Sequence, residues 1–186
     1  MLHNQLRDQA LLEMIGNPDT ARLGFRQLVE EYQQKLYAHI FRITGNHDDT
    51  DDALQETFIK AWKKLGTFRK ESPIYSWLLS IANNEALSCL RKRKMRNIMT
   101  LNLINYQSNT SSVQMPASGS SEIEKQFEKA LETLAAKQRI IFGMRYFDEL
   151  PYAEIARILN KSAGTVKSTY HQAHLKISQY LKNHGE

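Results

Sequence analysis

Along most of this chain apolar residues return every three or four positions, the spacing that lays them on one face of an α-helix. Phe25, Leu28, Val29, Tyr32, Leu36, Ile40 and Phe41 follow it, starting behind Asp19, which reads as an N-cap. Leu54, Phe58, Ala61, Trp62 and Leu65 repeat it behind Asp48 or Asp49. Ser72 then Pro73 gives a second start signal, a capping hydroxyl and a ring suited to the first helical turn. Ile74, Trp77, Leu78, Ile81 and Ala82 continue from it. Further helices are predicted near 122–134, 137–147, 151–159 and 163–182. Period-two alternation is almost absent, and no Asn-Gly or Asp-Gly pair marks a hairpin. The expected fold class is all-α: two small helical domains joined by a flexible linker.

The linker shows as a loss of charge. Residues 97–121 contain no Asp, Glu, Lys or Arg, and their second half is rich in Ser, Asn and Thr with Pro116 and Gly119. Ile98, Met99, Leu101, Leu103, Ile104 and Tyr106 make the first half apolar enough to pack on a neighbour. The expected units are therefore 1–96, 97–121 and 122–186. Across 186 residues the net charge is +5, which suits a polyanionic partner. Its distribution says more. Asp48, Asp49, Asp51, Asp52 and Glu56 cluster where Lys and Arg are missing, from Thr44 to Ile59. Arg91, Lys92, Arg93, Lys94 and Arg96 cluster at the end of the first half, and no acid occurs from Ile155 to Gly185. A single cysteine, Cys89, excludes an internal disulfide or a multi-cysteine zinc site. No apolar run is long enough for a membrane span or a leader peptide, so a cytoplasmic chain without membrane insertion is expected.

Residues 150–177, LPYAEIARILNKSAGTVKSTYHQAHLKI, fit a helix-turn-helix. Ala156 is small where two helices must cross, and Ile155 and Leu159 face inward. Asn160 tolerates the left-handed turn, Ser162 caps the second helix, and Val166 and Tyr170 anchor it. Lys161, Ser162, Thr165, Lys167, Ser168 and His171 remain for the outer face, where they can reach phosphates and base edges in a major groove. An ordinary helical hairpin with a solvated basic face has the same periodicity.

The first half offers two further stripes. In DDALQETFIKAWKKL, residues 51–65, Asp52, Gln55, Glu56 and Ile59 share one face and Phe58, Trp62 and Leu65 the next. Simple amphipathicity accounts for this as well as a docking face does. Residues 68–96, FRKESPIYSWLLSIANNEALSCLRKRKMR, interleave aromatic and basic residues, a mixture suited to single-stranded nucleic acid. Core packing is the competing account of Tyr75 and Trp77.

In this order and spacing these segments resemble the bacterial RNA polymerase sigma factors of the extracytoplasmic function type, over about residues 20–182. The resemblance implies a promoter-specificity subunit, not an enzyme, with no cofactor and no bound metal. Its implied partners are core RNA polymerase, promoter DNA and an anti-sigma factor. It implies that Asp52, Gln55, Glu56 and Phe58 dock on a coiled coil of the largest polymerase subunit. It places −10 recognition and melting on Phe68, Arg69, Lys70, Tyr75, Trp77, Asn83 and Asn84, with Asn84 reading a flipped base. Arg91, Lys92, Arg93, Lys94 and Arg96 would hold phosphates, and the helix-turn-helix residues named above would read the −35 element. The linker would thread toward the polymerase active cleft. No phosphate-binding G-x-x-x-x-G-K-[ST] motif is present, so melting, at ~1.4 kcal/mol per stacking step, must be driven by binding.

The chain departs from the family pattern. Thr169 and Gln172 stand where arginine is common, Asn160 where glycine is, Lys161 where an apolar residue is, Ser80 where arginine is frequent and Ser88 where an acid or Asn is. Lost positive charge implies a different −35 preference, or a weaker dependence on that element. Two other readings compete: a helix-turn-helix regulator acting without polymerase, and a phosphohydrolase using the acids at 48–52. The second lacks a convergent ligand geometry, and acids at a helix start suit the macrodipole.

Overall fold

The computed structural model describes residues 2–68, 72–103 and 122–184. Among them the regular structure is all helical: α1 (Leu2–Gly16), α2 (Ala21–Thr44), α3 (His47–Lys64), a 3₁₀ turn (Leu65–Thr67), α4 (Ile74–Leu103), α5 (Glu122–Glu132), α6 (Ala136–Tyr146), α7 (Tyr152–Leu159) and α8 (Ala163–His184).

The boundaries refine the sequence reading. Helix α1 precedes the first expected helix, and Asp19 is not a cap: Thr20 occupies the N-cap of α2 without a side-chain bond. The cap of α3 is Asn46, whose Oδ1 accepts from Asp49 N at 2.8 Å, so Asp48 and Asp49 lie in the first turn, where the helix dipole favours acids. Gly45 ends α2 at φ 74°, a left-handed cap that glycine adopts without strain. Helix α4 runs past residue 96 to Leu103, so seven residues expected in the linker are helical. Losing charge removes no helix-forming capacity, and no Gly or Pro interrupts that stretch.

In the first half, α2 lies against both α3 and α4. Ala53 and Ala61 of α3, and Ala82 and Ala86 of α4, are fully buried, so small side chains let these axes approach Leu28, Leu36 and Ile40 closely. The second half closes on Ala130, Leu131, Leu134, Phe142, Ala173 and Ile177. The halves do not keep separate cores. Ile140, Ile141 and Met144 of α6, Ile155 and Ala156 of α7 and Val166 of α8 join the cluster built on α2, α3 and α4. Arg139 of α6 reinforces this seam, donating through Nη1 to the carbonyls of Arg42 and Ile43 at the end of α2, both at 3.3 Å. Those terminal carbonyls otherwise lack helical partners.

Candidate nucleic-acid interface

Helix α3 presents Asp52, Gln55 and Glu56 to solvent, with Phe58 half-buried beside them. Phe58 lines a groove of about 610 Å³ together with Arg22, Phe25, Gln55, Ile59, Trp62 and Lys63. Trp62, expected among the core residues, is 44% exposed and rests edge-on against Phe25, ring centroids 4.9 Å apart. The acidic stripe and the aromatic stripe therefore share one open face. Sequence reasoning missed Arg22 and Phe25 there, because they come from α2. The run of acids is split: Asp49 turns inward to Arg93 at 3.0 Å and Arg96 at 3.7 Å, while Asp48, Asp51 and Asp52 face solvent.

Helix α4 separates its two asparagines. Asn84 is exposed, its Nδ2 donating to Ser80 O at 2.9 Å. Asn83 is 2% exposed and directs Oδ1 to His39 Nε2 at 2.9 Å, so in this arrangement it reaches no nucleic acid. Successive helical residues point about 100° apart, and here the bond to His39 takes Asn83 inward while Asn84 stays at the surface. Tyr75 is likewise committed: it stacks on Tyr32 with centroids 5.6 Å apart and donates its hydroxyl to Asp148 Oδ1 at 2.9 Å. Burial, with the Asp148 charge and that hydrogen bond, holds its phenol well above the ordinary tyrosine range. Trp77 is half-buried against Phe68, at 5.0 Å. Arg69 and Lys70 lie outside the described residues. Farther along α4, Arg91, Lys92, Met95 and Arg96 line a shallow basic groove with Ser88. Lys94 is exposed, and Arg93 is half-exposed beside Asp49.

In the second half α7 and α8 form the expected helix-turn-helix. Ile155, Ala156 and Val166 are buried at the crossing. Asn160 adopts φ 50°, ψ 55°, and the backbone N–H of Lys161 bonds Ala156 O at 2.9 Å, which closes the turn. Lys161, Ser162, Thr165, Lys167, Ser168 and His171 are all exposed. Two have helical duties as well: Ser162 Oγ accepts from Thr165 N at 3.1 Å as the cap, and Ser168 Oγ donates to Thr165 O at 3.0 Å. The outer surface is thus a short, polar, cationic helix face, suited by size and charge to a major groove.

Helical structure throughout the described residues, with an exposed acidic and aromatic face, a basic helix and a helix-turn-helix, fits the class of multi-region transcription factors. Residues 28–96 match the Sigma-70 region 2 family and residues 124–177 match Sigma-70, region 4. The chain is 32% identical to the "ECF RNA polymerase sigma-E factor" of Haemophilus influenzae, over 96% of its own length and 97% of the relative's. It is 28% identical to "ECF RNA polymerase sigma factor SigW" of Bacillus subtilis, over 86% and 90%. Among solved structures it resembles the sigma factor RpoE bound to the anti-sigma factor NepR from Bartonella quintana. That match has a TM-score of 0.71 and 30% identity, covering 85% of this chain and 96% of that one. The fold is also that of CnrH in complex with the cytosolic domain of CnrY (TM-score 0.68, 20% identity, 96% and 99% covered). The chain belongs to the sigma-70 family, as a sigma factor of the extracytoplasmic function type. Its function is promoter-specific transcription initiation with RNA polymerase. Among the described residues no helix is long and apolar enough to cross a membrane.

Proposed function

We propose that three surfaces divide the work of initiation. The α3 face, with Asp52, Gln55, Glu56 and Phe58, docks on core polymerase. Its acids pair with cations on a partner helix, while the groove beside Phe25 and Trp62 takes an apolar side chain. Helix α4 and the segment before it take the −10 strand. Asn84 reads an unstacked base, and Arg91, Lys92, Arg93, Lys94 and Arg96 neutralise phosphates. The exposed face of α8 reads the −35 duplex. Melting draws on captured bases rather than on nucleotide hydrolysis. An anti-sigma factor is the natural regulator, since the structural relative from Bartonella quintana is held in such a complex.

The observation that carries this assignment is the exposed Asp52/Gln55/Glu56 stripe beside an open aromatic groove. A transcriptional repressor working through the helix-turn-helix alone would have no use for that face. Gel filtration with bacterial core polymerase tests it. The wild-type chain is expected to co-elute with core. Gln55→Ala/Glu56→Ala is expected to elute alone while still binding duplex DNA through α8. Equal co-elution of both proteins would overturn the assignment of α3.

A further inference from the structure

The outward face of α8 carries the side chains assigned above to the −35 duplex, and they are not equally free to read it. Val166, Ala173 and Ile177 are buried and fix which way the helix turns. Two steps of about 100° set Ser168 opposite Val166, and Gln172 follows one turn later on the same outward stripe. Both are exposed. Lys167 lies about a quarter turn to the side, where a phosphate is the nearer target.

The hydroxyls of this face serve the helix. Ser168 and Thr169 both donate to Thr165 O, at 3.0 and 2.8 Å, and Ser162 and Thr165 bond each other through their hydroxyls at 2.8 Å. What they keep is mostly the capacity to accept, which does not single out one base. His171 has no bond among the described residues, but its two ring nitrogens point apart and meet one edge atom at a time. Gln172 is different. Its amide makes no hydrogen bond among the described residues, stands on a longer stem than the hydroxyls do, and offers a donor and an acceptor side by side.

Charge points the same way. From Ala163 to His184 the helix contains no arginine, and arginine or lysine on O6 and N7 of guanine is the commonest specific contact in a major groove. Guanine shows two acceptors there, one of which would face the amide oxygen. Cytosine shows a donor alone, and thymine an acceptor and a methyl group. Adenine presents an acceptor, N7, next to a donor, N6, and so satisfies both halves of an amide.

We propose that Gln172 is a specificity-determining residue of the −35 contact, and that it selects an adenine at one position of that element through paired hydrogen bonds to N6 and N7. Lys161 and Lys167 hold phosphates nearby and carry affinity without sequence. The proposal rests on the assignment of α8 to the −35 duplex above.

The test uses the full chain assembled with bacterial core polymerase and a library of randomised DNA duplexes, from which bound molecules are recovered and sequenced. Wild type is compared with Gln172→Ala, Gln172→Arg and Lys167→Ala, each with its helicity verified by circular dichroism. Wild type is expected to enrich an upstream element with an adenine fixed at one position. Gln172→Ala should lower the preference for that adenine about fivefold or more and leave the neighbouring positions as they were. Gln172→Arg should change the favoured base at that position to guanine. Lys167→Ala should weaken binding to all duplexes alike and flatten its salt dependence, with the adenine retained. The same adenine preference in wild type and both Gln172 variants, or a loss spread evenly across the element, would overturn the proposal. Enrichment of a −10 sequence alone, with no upstream element in any of the four proteins, would overturn the assignment of α8 itself, and the role of Gln172 with it.

Discussion

Asn160 sets the turn of the helix-turn-helix in left-handed backbone at φ 50°, where asparagine is tolerated and glycine fits without strain. Asn160→Gly is expected to hold or slightly raise stability. Asn160→Val should lower it by about 1–3 kcal/mol, since a β-branched residue resists this region. Urea denaturation of the two variants checks both expectations. This role was legible because the turn lies between two strongly periodic helices. The fates of Asn83 and Asn84 were not. Both lie on one helix, and which of them turns inward depends on His39 and Asp148, distant in sequence. Tyr75 was ambiguous for the same reason: an aromatic before a helix serves equally as platform or as packing, and here Tyr32 and Asp148 hold it at the seam.

Whole elements were legible in proportion to how cleanly their apolar residues fall on one stripe. Helices α2, α3 and α5 to α8 show that stripe, and the sequence places their ends within a few residues, whereas α4 runs seven residues beyond its expected end. Helix α1 does not. Its apolar residues scatter round the axis, and it is held by contacts that no local pattern announces: Arg7 to Glu31 at 2.6 Å, Asp8 to the Tyr32 hydroxyl, and the Thr20 hydroxyl to Met14 O at 2.7 Å. Gly24 makes this packing possible. A Cβ there would lie 2.8 Å from Met14 Cβ and 3.1 Å from the backbone nitrogen of Ile15, so α1 would have to move. Gly24→Ala is therefore expected to cost about 1–3 kcal/mol despite its better helix propensity, read as a lowered melting temperature. An unchanged or raised melting temperature would show that α1 does not seat on α2 as described.

At the scale of the molecule, the least legible feature was the core shared by both halves. A sequence split by a charge-free segment suggests two separate bundles, and nothing local indicates that Ile140, Met144 and Ile155 complete the core of α2 to α4. The seam also carries a pH dependence. Burial opposes ionisation of Glu154, but hydrogen bonds from Arg157 and from Ser76, on the opposite half, bring its carboxyl below the ordinary glutamate value. A depressed folded-state value means that Glu154 contributes stability above the unfolded-state value, about 4.3, and loses it as pH falls through the folded one. The melting-temperature gap between the wild type and Glu154→Gln should thus be present at pH 6 and shrink toward zero below about pH 4. A gap that widened on acidification would contradict the placement of Ser76 against Glu154.

The central claim is that this chain gives core polymerase its promoter specificity through α3, α4 and α8. The most direct test is transcription by bacterial core polymerase on genomic DNA fragments, with the 5′ ends of the transcripts mapped, in the presence of wild type or Asn84→Ala. The account predicts a restricted set of start sites that appear only when the chain is added and share common upstream sequences. Asn84→Ala should weaken initiation about tenfold or more at those sites while leaving core binding intact. Start sites that are the same with and without the chain would contradict it.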